Sequence, residues 1–211
     1  MKTEREVTIP VDGVTLEGEL AVPDGAVGIV AFAHGSGSSR HSPRNQLVAE
    51  VLRSHGVGTL LFDLLTVEED RDYETRFDID LLTERLLAAT EWLRDRDETR
   101  SAPIGYFGSS TGAAAALQAA AERGDDVAAV VSRGGRVDLA AEDAPEVTAA
   151  TLLIVGGADT QVLAWNEDVH ALLTCKTELA VIEGAGHLFE GPGELEEVAD
   201  RAAEWFETHL G

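Results

Sequence analysis

The feature that most constrains this chain is an alternation of short apolar runs with helical patterns, repeated nearly to its end. Val27-Gly28-Ile29-Val30-Ala31-Phe32-Ala33 is continuously apolar, as a strand buried on both faces must be. A helix is predicted from Pro43 to Ser54, ending at Gly56. The unit recurs as a strand over Gly58–Phe62 and a helix over about 75–94, whose Ile79, Leu82, Leu86, Ala89 and Leu93 fall at helical spacing. It recurs again as strand 104–107 with helix 111–122, strand 127–131, strand 151–155 with helix 162–173, and strand 179–182 with helix 195–209. Before the first unit, Val7–Ile9 and Leu16–Val22 read as a hairpin turning at Asp12-Gly13. The expectation is a mostly parallel, doubly wound α/β sheet of about eight strands, opened by an antiparallel hairpin and covered on both sides. With 211 residues the chain is expected to form one domain, 1–211.

In such sheets ligands bind at the carboxyl ends of the strands. The polar residues just beyond strands are few: His34-Gly35-Ser36-Gly37, Asp63, Ser109-Ser110, Arg133, Asp159 and His187. Gly108-Ser109-Ser110-Thr111-Gly112 has the form G-x-S-x-G between a strand and a helix, the context of a nucleophile elbow. The turn is too tight for side chains two residues either side of the serine. A helix N-terminus beneath the serine favours developing negative charge. The competing structural reading is an ordinary Gly/Ser turn with a capping serine.

A serine hydroxyl needs a base. Of the six histidines, His55, His170 and His209 fall in or at the ends of helices, and His34 and His41 border the first loop. His187 follows the last strand in Gly184-Ala185-Gly186-His187, where small residues let a loop carry the imidazole back over the serine. Asp159 follows the strand Leu152–Val155 and is the candidate that orients it. The order Ser110, Asp159, His187 is that of an α/β-hydrolase triad. Separately, Asp159 also suits a helix cap and His187 an ordinary loop. An oxyanion hole would take the Thr111 N–H and, from the glycine loop, the Ser36 N–H, with the Gly37 N–H as the less favoured alternative to Ser36.

The glycine loop has a rival reading. Gly35-Ser36-Gly37-Ser38-Ser39-Arg40 after a strand, with Asp63 ending the next, approaches a dinucleotide-binding fingerprint and hence an oxidoreductase. Arg40 stands where its third glycine belongs, and that reading leaves the three triad candidates unexplained.

These motifs, together with His34 to His41 and Gly156-Gly157-Ala158-Asp159, resemble the dienelactone-hydrolase-like branch of the α/β-hydrolases, from about Val14 to Leu210. The resemblance implies the α/β-hydrolase fold, the triad and no lid domain, since 137–150 is only a short connection. It departs at the nucleophile: that family carries cysteine where this chain has Ser110, and Cys175 lies far from the elbow. A carboxylesterase-like hydrolase of small esters, needing neither metal nor organic cofactor, is therefore expected, with a catalytically silent small-molecule binder on the same scaffold as the alternative.

Charge narrows the partners. The chain has 39 acidic against 16 basic residues, a formal charge of -23, and only Lys2 and Lys176 among lysines. Such a surface repels phosphate backbones, so nucleic acid is not expected as a partner. The composition resembles that of proteins from salt-loving organisms, where salt screens carboxylate repulsion. No leader and no apolar run of roughly 20 residues is seen, which points to a cytoplasmic chain with no membrane partner. Against this acidity, Arg40, Arg44, Arg76, Arg133 and Arg136 all fall near the carboxyl edge of the sheet. Arg40 and Arg133 are candidates to hold a carboxylate-bearing ester by a guanidinium fork. The opposing reading pairs these arginines with local acids such as Asp63, Asp78 and Asp138.

Overall fold

A computed structural model describes residues 3–211. Its centre is an eight-stranded sheet in the order β1-β2-β4-β3-β5-β6-β7-β8. The strands are β1 (Thr3–Val11), β2 (Val14–Val22), β3 (Ile29–Ala33), β4 (Gly58–Phe62), β5 (Ile104–Ser109), β6 (Val127–Arg133), β7 (Ala150–Gly156) and β8 (Thr177–Ile182). β1 and β2 form the expected hairpin about Asp12-Gly13, and β2 also runs antiparallel to β4. From β4 to β8 all neighbours are parallel, so their carboxyl ends share one edge.

Period-two alternation divides the buried side chains into two cores. On one face Ile29, Ala31 and Ala33 of β3 pack with α2 (Ile79–Arg94), α3 (Thr111–Arg123) and α4 (Thr160–Leu172). On the other, Val30 and Phe32 pack with α1 (Pro43–Ser54) and α5 (Glu194–Leu210). A parallel sheet covered twice explains why its central strands are apolar throughout rather than alternating. α3 is almost wholly buried and carries seven alanines, which let it lie close against the sheet.

The boundaries differ from the sequence reading in instructive places. β3 begins at Ile29, because Val27 is already exposed. β5 and β6 continue beyond their apolar residues, where Ser109 pairs with Arg133 at the sheet edge. α2 starts at Ile79 rather than Thr75. The Asp78 side chain accepts from the Leu81 N–H and caps it, while 75–77 forms a separate 3-10 turn. Residues 134–149 hold only two short 3-10 turns, so no lid covers the edge. Among the described residues no helix is long and apolar enough to cross a membrane.

Candidate active site

The elbow follows from close packing. Ser110 joins β5 to α3 with φ +51° and ψ -122°, a backbone region that side chains rarely occupy. A Cβ on Gly112 would collide with the backbone carbonyl of Ala33, and one on Gly108 with the backbone of Ala113. Both glycines of G-x-S-x-G are therefore required by the approach of α3 to the sheet. The turn is fastened by the Ser110 N–H donating to the Arg133 carbonyl (3.3 Å) and by the Arg136 N–H donating to the Ser110 carbonyl (2.9 Å).

Asp159 and His187 arrive from the neighbouring strand ends. Their side chains meet, with His187 Nδ1 2.7 Å from Asp159 Oδ2, and the aspartate is the more buried of the two. Asp159 makes no side-chain cap to α4, which disposes of the capping reading. Two features hold the His187 loop. Phe189 is buried at φ +52°, wedged into the core against α1 and α5. Gly134, at φ +53°, lies under the ring; its absent Cβ would sit 3.3 Å from the His187 carbonyl and 3.4 Å from Nδ1. Neither residue stood out in the sequence, although the glycine pair 134–135 directly after a strand was a signal.

Ser110 and His187 line one cavity of about 360 Å³, together with the glycine loop, Arg44, Arg133 and Leu188. The glycine loop is a turn: the Ser38 N–H donates to the Gly35 carbonyl (3.1 Å), and Gly37 supplies the positive φ of +70° that a type II turn demands. His34, buried beneath it, accepts from the Leu64 N–H through Nε2 (3.0 Å). Its Nδ1 is thus the protonated nitrogen and donates to the same Gly35 carbonyl (2.9 Å). Burial pushes the His34 imidazole below the ordinary histidine range, so it stays neutral. The Ser36 N–H, expected to face an oxyanion, is engaged instead: it donates to Thr111 Oγ1 at 3.0 Å. Gly37 belongs to the central peptide of the turn, whose N–H has no partner within the turn. The Thr111 N–H is the first of α3, where no intrahelical acceptor exists.

The arginines separate. The Arg40 guanidinium forms an ion pair with Asp63, and the backbone N–H of Arg40 donates to the same carboxylate at 2.8 Å. Arg40 is not among the residues that line the cavity, its guanidinium being committed to Asp63. The same pair occupies the aspartate that the dinucleotide reading would give to a ribose. Moreover, α1 starts at Pro43, well past the glycines, so that reading has no helix N-terminus in the loop. Arg76 pairs with Asp70, Arg136 with Asp138 and Arg44 with Glu190. Among the described residues, Arg133 alone of the five reaches no acceptor: it is 8% exposed, and its Nη1 is buried without a hydrogen bond. Burial brings this guanidinium down to about 10, with repulsion from Arg44 adding to the effect.

The family model for the dienelactone hydrolase family matches residues 63–210, from the end of β4 through α5. The chain belongs to the dienelactone hydrolase family. A crystal structure of a dienelactone hydrolase from Anabaena variabilis is 55% identical, with a TM-score of 0.96 over 100% of this chain and 99% of that one. An esterase from Pyrococcus furiosus shares the fold at 21% identity, with a TM-score of 0.80 over 100% and 92% of the two chains. Among curated proteins, one from Mycobacterium tuberculosis named "Putative phosphoribosyl transferase" is 55% identical over 207 residues. That match covers 98% of this chain but 47% of the relative, so the chain spans about half the length of the curated relatives it matches. This member of the dienelactone hydrolase family thus has the α/β-hydrolase fold.

Proposed function

We propose that this chain is a serine hydrolase of small carboxylic esters that works through an acyl-enzyme on Ser110. The observation that carries the reading is the His187–Asp159 pair at 2.7 Å in the same site as a serine held on a strained elbow. Asp159 binds Nδ1–H and so leaves Nε2 as the basic nitrogen. His187 takes the Ser110 proton as Oγ attacks the ester carbonyl, and returns it to the departing alcohol. Water, activated by the same imidazole, then releases the acid. The tetrahedral oxyanion is received by the Thr111 N–H at the positive end of α3. With the Ser36 N–H held on Thr111 Oγ1, the second place passes to the Gly37 N–H. Acyl transfer of this kind needs no metal or organic cofactor.

The transferase name of the mycobacterial relative is not carried over. This chain corresponds to less than half of that protein, and its own residues offer a nucleophile and base rather than a transferase motif.

The test is hydrolysis of a panel of p-nitrophenyl esters by wild type and by Ser110→Ala. The variant is expected to fold and to lose activity by about 10⁴-fold or more. Retention of activity in a folded variant removes Ser110 from the reaction. A wild type inert on every ester favours the silent binder.

A further inference from the structure

Arg133 is the anomaly of this molecule. Acids outnumber bases by 39 to 16, yet this one guanidinium is buried with no carboxylate or carbonyl to meet it among the described residues. A buried charge without a partner costs several kcal/mol, and a chain so rich in acids had partners to spare. The cost is consistent with a group kept for an anion that arrives from outside. The cavity that Arg133 faces is the one holding Ser110 and His187.

The donors around it say which anion. Arg44, on the opposite element, is anchored by Nε to the Leu188 carbonyl (3.1 Å) and by Nη2 to Glu190 (3.0 Å), and it faces the same cavity. Ser38 and Ser42 line it too, and Ser42 is the N-cap of α1, whose positive helix end therefore lies at this wall. One carboxylate has two oxygens and one charge, which a single guanidinium fork satisfies. Two guanidinium groups and two hydroxyls offer more donors than it can use. A phosphate monoester brings three terminal oxygens and nearly two charges.

We propose that this cavity contains a phosphoryl-binding subsite built on Arg133, Arg44, Ser38 and Ser42, so that the ester cleaved at Ser110 carries a phosphate group as its anchor. The phosphate is not transferred. Its bonds persist while the ester C–O bond breaks and the Ser110 Oγ–acyl bond forms and is hydrolysed. The catalytic half of the statement rests on the serine-hydrolase reading; the binding half does not.

The two are separated by measuring binding and acylation independently. Inorganic phosphate is titrated calorimetrically into wild type, Arg133→Gln and Arg44→Gln, with sodium acetate and sodium chloride at matched ionic strength as comparisons. Phosphate is expected to bind wild type with acetate and chloride giving no comparable heat. Each variant should weaken phosphate by about tenfold or more, the scale of one charge-assisted hydrogen bond. Equal phosphate affinity in wild type and both variants, or no binding to wild type, overturns the subsite. Acetate binding as tightly as phosphate overturns the phosphoryl assignment. Phosphate binding by a protein that no fluorophosphonate labels leaves the subsite standing and removes the hydrolase reading. Labelling without phosphate binding does the reverse.

Discussion

A single buried imidazole ties two strand ends to the loop that would receive the oxyanion. His34 accepts from the Leu64 N–H, a bond that requires its neutral form, and donates to the Gly35 carbonyl. Burial lowers its proton affinity in the fold below the unbound value of 6.5. Below that pH the unfolded chain takes up a proton that the folded one resists. The contribution of His34 to stability is therefore complete above 6.5 and is lost as pH falls through that value toward the depressed one. Urea denaturation of wild type is expected to show a midpoint that falls as pH drops below 6.5. His34→Gln, less stable at neutral pH, should show a flatter dependence over that window. Parallel curves would assign the acid sensitivity to other groups. At this scale the triad candidates were legible in the sequence because each follows an apolar strand. The fates of the arginines were not. Whether Arg40 meets Asp63, and Arg133 meets no acceptor among the described residues, depends on side chains that only the folded sheet brings together.

Among elements, the helices whose N-termini carry a chemical task show how local sequence sets their start. α3 begins immediately after Ser110, with no side-chain cap, and its unsatisfied first N–H groups are what an oxyanion would use. α2 packs Leu82, Leu86, Ala89 and Leu93 into the core and is capped by Asp78 through the Leu81 N–H at 3.1 Å. Asp78→Ala should lower the free energy of unfolding by about 1 kcal/mol, read from the urea midpoint, with ester hydrolysis unchanged. A loss within error would mean that the preceding 3-10 turn, not the cap, fixes the helix. Periodicity placed α2 on the correct face but began it at Thr75, because Thr75 to Phe77 is compatible with either kind of turn and the cap decides between them. The strand ends were read short for a related reason. Ser109 and Arg133 are polar, yet they continue the ladder because each has a paired neighbour at the edge.

For the whole molecule, the alternation of strands and helices made the doubly wound sheet legible, including its opening hairpin. Strand order was not legible from periodicity. That β4 lies between β2 and β3 is a matter of chain crossover. Net charge acts at this scale as well. A chain carrying -23 repels itself in the compact state, while its arginines are largely committed to local pairs such as Arg94–Asp126 and Arg85–Glu69. At 1 M ionic strength the Debye length falls to about 3 Å, which removes long-range repulsion and spares the close pairs. Stability toward urea is accordingly expected to rise between 0.1 and about 2 M sodium chloride. A midpoint that falls with salt would show that the pairs outweigh the repulsion.

The central claim, that Ser110 is a nucleophile activated by His187 and Asp159, is most directly tested by intact-protein mass after exposure to a fluorophosphonate, at low and high salt, with Ser110→Ala alongside. We expect one adduct on the wild type and none on the variant. A folded wild type that stays unmodified in both salts, or a variant that labels equally, would contradict it.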